Sequence, residues 1–186
     1  TTVYDLGPNG TNGTITNGPT FDSDNDGSIL FDGVDDYIIY GNPSTLRFGT
    51  PNFSYGCWFY WTNTNTLSTL MGKRDGSNTI NVPGGSNYNQ WGLTISDSMC
   101  CGPAGKNIGN CIISDGWAKG GCSLSAPLPN YSGWVYGFIT VDTNVQKVFI
   151  NGKVAGTNSD DLNGGTFNIV GRSVYVGCTG GETEGT

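Results

Sequence analysis

Apolar and polar residues alternate with a period of two along much of this chain, and no segment shows a convincing helical period. The clearest case is FSYGCWFYW, Phe53 to Trp61, in which large apolar side chains occupy every second position. Its other face carries Trp58 and Tyr60, so both faces of this segment are apolar. The pattern predicts a strand that is covered on both sides, in the middle of a packed sheet.

Other strands are predicted from the same alternation, and they are separated by turn residues about every ten positions. They lie in Ser28–Tyr40, which holds two, Gln90–Ser96, which holds one, Trp134–Thr157, which holds three, and Thr166–Gly177, which holds two. Asp142 to Asn144 are predicted to close one hairpin. Asn151-Gly152 is predicted to close the next in a type I′ turn, which requires positive φ at both residues.

These elements predict an all-β fold, a two-sheet antiparallel β-sandwich of the jelly-roll kind, formed by residues 1–186 as one domain. Residues 97–129 are rich in Cys and Gly and show little periodicity. They are predicted to be a loop excursion pinned by disulfides. Residues 179–186 are predicted to be a flexible tail.

The composition of the chain argues against nucleic-acid binding, membrane insertion and histidine-based chemistry. Eight basic residues against fifteen acidic ones give a net charge of −7, which argues against binding to nucleic acid. No apolar run is long enough to cross a membrane, so membrane insertion is not expected. The chain has no histidine, which removes the commonest general base and transition-metal ligand.

Catalysis is not expected either. Glycoside hydrolysis needs two carboxyl groups that face one cleft, but no predicted strand carries alternating carboxylates. The only glutamates, Glu182 and Glu184, lie in the tail, and neither a Ser-His-Asp triad nor a G-x-S-x-G motif is present.

Six cysteines in an acidic chain suggest an oxidising, extracellular setting, with disulfides favoured over free buried thiols. No C-x-x-C pair is present, which argues against a structural zinc site. Four of the cysteines lie within 23 residues, and those four allow three pairings. The disulfide candidates are Cys57, Cys100, Cys101, Cys111, Cys122 and Cys178.

Several segments resemble a known family. YDLGPNGTNGTITNGPTFD, SILFDGVDDYIIYGNPSTLRFG, FSYGCWFYW and GWVYGFITVDTNVQKVFINGKVAGT are similar to laminin-G-like, concanavalin-A-like jelly-roll domains of bacterial surface proteins and bacteriophage structural proteins. The resemblance runs from Tyr4 to Gly177 except in the cysteine-rich stretch. It implies a two-sheet fold and, often, carbohydrate or surface binding with a Ca²⁺ site. The family's strands ahead of Tyr4 and after Val176 are not recognisable, which predicts a piece of a longer protein or sheet edges that pair with a neighbour.

A calcium site is one hypothesis for the aspartates of the first quarter. The motif DSDNDG resembles the first half of a calcium loop, with carboxylates at alternating positions before Gly27. The twelfth position is Gly33, so a complete EF-hand is excluded. The alternative is that these aspartates only form turns between strands. The candidate Ca²⁺ ligands are Asp22, Asp24, Asp26, Asp32 and Asp35.

A glycan site is predicted from aromatic residues outside the regular core pattern, because rings stack on the apolar faces of sugars while amides and carboxylates bind the hydroxyls. Trp58, Trp91 and Trp134 are assigned to the core. The candidate ligand-binding residues are Trp117, Tyr131, Tyr88, Asn87, Asn89 and Asp115.

The sequence thus predicts a non-enzymatic binding or adhesion module on an extracellular, cell or virion surface, with a glycan or cell-surface polysaccharide as its partner. The alternative is a structural decoration or assembly domain of a phage virion or surface filament, which acts by packing against neighbouring protein subunits. A glycoside hydrolase is a remote third alternative.

Overall fold

The computed structural model describes residues 2–50, 52–62, 67–73, 91–96, 105–113, 120–130, 132–159 and 173–177. Within these ranges the chain is built from antiparallel strands and two short 3₁₀ helices, Asp24–Asp26 and Ser44–Leu46. The strands are β1 Thr2–Val3, β2 Gly13–Thr16, β3 Thr20–Asp22, β4 Ser28–Leu30, β5 Tyr37–Gly41, β6 Phe53–Trp61, β7 Leu67–Lys73, β8 Trp91–Ser96, β9 Asn107–Ile113, β10 Gly120–Pro127, β11 Gly133–Val141, β12 Gln146–Ile150, β13 Lys153–Asn158 and β14 Val174–Val176.

Two sheets form the body of the molecule. The larger has the order β1-β2-β5-β14-β7-β8-β9-β10, and the smaller has the order β13-β12-β11-β6. Strands β3 and β4 form a separate hairpin. The prediction of an all-β antiparallel sandwich is therefore confirmed.

The core lies between the two sheets. From the smaller sheet, Val135, Ile139 and Val148 are fully buried, and from the larger sheet Leu93 and Ile108 are fully buried. Their burial follows from strand geometry, because every second side chain of a strand points to the same face. Each sheet therefore contributes one apolar face to a shared interior.

An aromatic cluster closes one end of this core. Trp91 is buried as predicted, and its ring lies 5.0 Å from that of Tyr55 and 5.7 Å from that of Phe48. The Tyr55 hydroxyl donates to the carbonyl of Gly92 at 3.3 Å, which joins β6 to the opposite sheet. The two sheets are thus linked by a hydrogen bond as well as by packing.

The predicted hairpins of the smaller sheet are confirmed. Asn151 and Gly152 have φ angles of 50° and 79°, as a type I′ turn requires. The Asp142 N–H donates to the carbonyl of Val145 at 3.0 Å, which closes the turn between β11 and β12.

Two predictions about strands are corrected. Residues 97–129 are not simply a loop, because β9 and β10 lie within this stretch and extend the larger sheet. The many glycines and cysteines there hid the alternation. Strand β6 has the predicted bounds but is not central, since it is the last strand of the smaller sheet in the described part of the chain.

The strand that was not recognisable ahead of Tyr4 is present in the structure. It is the short strand β1, which pairs with β2. Of the last predicted pair of strands, β14 is present. Residues 160–172 and 178–186 lie outside the described residues, and the predicted tail lies there too.

Gly137 allows the sheets to approach, and we expect Gly137→Ala to destabilise the fold. A Cβ atom at this position would lie 2.6 Å from Ile108 Cδ1 and 3.2 Å from a ring carbon of Phe59. Overpacking of this kind costs about 1–3 kcal/mol of unfolding free energy, measurable by urea denaturation. Gly49→Ala is the matched control, because no atom lies within 4 Å of its added Cβ. Equal stability of the two variants would contradict this account of the core.

Candidate ligand-binding face

The outward face of the smaller sheet is rich in aromatic rings, of which two are exposed and four are half-buried. On β11 the inward residues are aliphatic or glycine, and the outward residues are Trp134, Tyr136, Phe138 and Thr140. On β6 the outward residues include Trp58 and Tyr60, which are 63% and 57% exposed. We define the aromatic face as the six outward rings of Trp58, Tyr60, Trp134, Tyr136, Phe138 and Phe149.

Antiparallel register brings these rings together in pairs. Tyr60 lies opposite Trp134, and their ring centroids are 5.6 Å apart at 85°. Trp58 lies opposite Tyr136, with ring centroids 5.2 Å apart at 37°. Cross-strand contacts of this kind stabilise a sheet and restrict the rotamers of both rings.

The array continues across the sheet towards β12. The rings of Tyr136 and Phe138 are 5.9 Å apart and inclined by only 19°, and Phe138 contacts Phe149 at 6.0 Å. Phe138 also covers Gly56, since a Cβ on that glycine would lie 2.7 Å from Phe138 Cδ2. A ring that covers a glycine on the neighbouring strand protects the backbone there and fixes the ring.

A polar row borders the rings. Ser54, Thr140 and Lys147 lie side by side on β6, β11 and β12 by the strand register. They follow directly after the row that contains Phe138 and Phe149. The face thus combines flat apolar surfaces with two hydroxyl groups and one ammonium group. None of the outward positions on these three strands is a carboxylate, so the face lacks the acid pair that glycoside hydrolysis requires.

The assignment of Trp58 to the core is wrong, and Trp134 is only partly buried. Both faces of β6 are aromatic, so its sequence alone could not show which face is exposed. A usable signal was present on β11. There Val135, Ile139 and Val141 share one face while Trp, Tyr, Phe and Thr share the other. The aliphatic face is the better candidate for a core.

The ligand-binding residues predicted from the sequence lie outside the described residues. These are Trp117, Tyr131, Tyr88, Asn87, Asn89 and Asp115. The same holds for three disulfide candidates, Cys100, Cys101 and Cys178.

The first group of predicted Ca²⁺ ligands takes part in a local turn. The Asp22 carboxylate accepts a hydrogen bond from the Asp24 N–H at 2.9 Å, and the Gly27 N–H donates to the Asp24 carbonyl at 3.1 Å. Asp26 has a φ of 64°, a conformation that Asp tolerates better than most residues. This is the geometry of a turn between β3 and β4.

The second group also supports a turn. Asp32 Oδ1 accepts from the N–H groups of Val34 at 2.8 Å and Asp35 at 3.4 Å. Asp36 is buried, and its carboxylate accepts from the Asp32 N–H at 2.9 Å. Carboxylate oxygens of Asp32, Asp35 and Asp36 lie within 4.8 Å of one another. Among the described residues, this cluster does not include the other predicted Ca²⁺ ligands, Asp22, Asp24 and Asp26.

Asp5 shows the same behaviour at another turn. Its carboxylate accepts from the N–H groups of Gly7 at 2.7 Å and Thr11 at 2.8 Å. These backbone hydrogen bonds lower the pKa of Asp5, because they favour its ionised form. In the described residues, aspartates therefore serve repeatedly as acceptors for turn backbone, which is the alternative that the sequence left open.

Cys57 is a free thiol on the inward side of β6, so its place among the disulfide candidates is corrected. Burial raises its pKa to about 11, because the thiolate would lose its hydration. The thiol is therefore protonated and unreactive at neutral pH.

No protein-family model and no curated protein matches this chain. Among the described residues, no helix is long and apolar enough to cross a membrane.

Replacing Asp32 by alanine tests the role of the aspartates in turns. Asp32→Ala removes the acceptor for two backbone N–H groups and should cost about 1 kcal/mol of unfolding free energy. Asp35→Ala removes the same charge from the cluster but leaves those hydrogen bonds in place, so it should cost less. Urea denaturation in EDTA and in millimolar Ca²⁺ measures both. If Ca²⁺ stabilised the native protein and neither variant, the metal hypothesis would replace the turn hypothesis.

The raised pKa of Cys57 predicts a stability change at alkaline pH. The unfolded thiol ionises near 9.0 and the folded one near 11, so its contribution is complete below pH 9 and is lost as the pH rises towards 11. Between pH 8 and pH 10.5 the native protein should lose about 2 kcal/mol more than Cys57→Ala does. Parallel stability curves for the two proteins would contradict the assigned burial.

Proposed function

We propose that this protein is a non-enzymatic binding module of the laminin-G-like jelly-roll kind, which binds a glycan on an extracellular, cell or virion surface. The observation that carries the proposal is the exposure of Trp58 and Tyr60 within an ordered array of rings. Large exposed aromatic patches on a folded domain mark binding surfaces, because leaving them in water is unfavourable.

The chemistry of the face suits a polysaccharide. Aromatic rings provide flat apolar surfaces for the C–H faces of pyranose rings, and neighbouring polar groups can bind the hydroxyls. The Ser54–Thr140–Lys147 row supplies such groups directly beside the rings. Because cross-strand partners already hold the rings, little side-chain entropy is lost on binding.

The absence of carboxylates from the outward positions of β6, β11 and β12 supports binding without cleavage. The proposed site differs from the one that the sequence suggested, because it uses residues that had been assigned to the core. Ca²⁺ is not needed for stacking and has no role in this proposal.

A structural role is the second candidate, and a specific observation favours it. In the described part of the chain β6 is an edge strand, and edge strands can pair with another chain. Trp and Tyr are also enriched where subunits pack together. The same face could then be an interface with neighbouring subunits of a virion or filament.

A glycan array followed by calorimetry on the best ligand tests the first proposal. Trp58→Ala should weaken binding about 5- to 150-fold, since loss of one stacking ring costs on the order of 1–3 kcal/mol in the comparable case of bases stacked on aromatic side chains. Tyr4→Ala is the matched control, because Tyr4 is 73% exposed but lies beside β1 of the other sheet. It should bind as the native protein does.

Light scattering on the same three proteins tests the alternative. If the array is silent, and the native protein forms oligomers that Trp58→Ala disrupts, the face is a subunit interface. If Trp58→Ala and Tyr4→Ala both bind glycan normally, the ligand lies elsewhere and the proposed site is wrong.

A further inference from the structure

We propose that Cys111 and Cys122 form a disulfide across strands β9 and β10. The two residues are direct partners in the antiparallel register of these strands. The adjacent pairs, Gly121 with Ile112 and Gly120 with Ile113, continue the same register. The proposal is independent of the glycan-binding proposal.

The backbone spacing at such a position suits a disulfide. Partner Cα atoms in antiparallel strands are about 4.5 or 5.5 Å apart, depending on whether the pair is hydrogen-bonded. Disulfides span Cα distances of about 4.4–6.8 Å, so either kind of pair is within range. The register then shifts between Cys122 and Leu124, and a bulge of this kind increases local twist.

The strand register thereby favours one of the pairings that the sequence left open. Cys57 has a free thiol and belongs to the opposite sheet, so it is not a partner for either residue. Of the six cysteines, Cys100, Cys101 and Cys178 then remain. Three cysteines can form at most one further disulfide, so at least one thiol besides Cys57 is left over.

This disulfide would hold the strands that cover one side of the core. Strand β9 contributes Ile108, and β10 contributes Leu124 and Ala126, all of them buried. β10 also lies against β13, since a Cβ on Gly156 would be 3.1 Å from the Ser125 carbonyl oxygen. In the described part of the chain β10 is an edge strand, and a cross-link to β9 restrains its fraying.

The reaction is a thiol–disulfide exchange with a small-molecule disulfide such as oxidised glutathione. One cysteine thiolate attacks that disulfide, forms a mixed disulfide and releases one reduced thiol. The second cysteine thiolate then attacks the mixed disulfide and releases the other thiol. The two cysteines lose two protons and two electrons, and the glutathione disulfide accepts both electrons.

Tryptic peptide mapping of the native chain, oxidised with glutathione and alkylated without reduction, tests the pairing. Cleavage after Lys106, Lys119 and Lys147 places Cys111 in peptide 107–119 and Cys122 in peptide 120–147. Cys100 and Cys101 fall in peptide 75–106, and Cys178 in peptide 173–186. We expect the 107–119 and 120–147 peptides to be joined. A bond from either one to 75–106 or 173–186, or full alkylation of both cysteines, would overturn the proposal.

Thermal denaturation gives a second readout. The double variant Cys111→Ser/Cys122→Ser should melt about 6–12 °C below the oxidised native protein, and each single variant should show the same loss. A reductant should lower the melting temperature of the native protein to that of the double variant and leave the double variant unchanged. An equal response of both proteins to the reductant would place the relevant disulfide elsewhere.

Discussion

The packing of β11 against the opposite sheet is the constraint on which the rest of the structure depends. Its inward side presents Val135, Ile139 and Val141, with Gly137 among them, and the missing Cβ of Gly137 leaves room for Ile108. Small aliphatic side chains and one glycine let the sheets approach closely and fill the interior. Alternate residues of a strand point to opposite faces. Because the aliphatic side of β11 faces the core, the larger aromatic residues of β11 face outward.

The aromatic face follows from that constraint and is kept ordered by local contacts. Each outward ring of β6 contacts a ring of β11, and Phe138 lies over Gly56. Exposed rings forgo the free energy of burial, about 25 cal/mol for each Å² of apolar surface. Selection for stability alone would favour polar residues at the exposed positions of Trp58 and Tyr60, which supports the proposal that a partner covers these rings.

Much of the fold could be predicted from the sequence, whereas the exposed face could be predicted from the alternation on β11 but not from that on β6. The strand bounds of β6 and the type I′ turn at Asn151-Gly152 depend on local patterns, and both are confirmed. Whether Trp58 faces the core depends on the opposite sheet, and the sequence of β6 carries no information about that contact. Strands β9 and β10 were missed for a related reason. Glycines and cysteines interrupt their alternation, and their pairing is decided by the sheet that they extend.

The aspartates and the aromatic rings of this chain have different roles. Among the described aspartates, Asp5, Asp22 and Asp32 accept hydrogen bonds from turn backbone, a role that needs no ligand. The aromatic face, in contrast, contributes little to the core, and the charged side chain in the polar row beside it is Lys147. In the glycan site that we propose, recognition depends on ring stacking and on hydroxyl groups, which salt screens weakly. The uncharged polysaccharide that we propose as the ligand needs no long-range attraction, so the net charge of −7 does not oppose its binding.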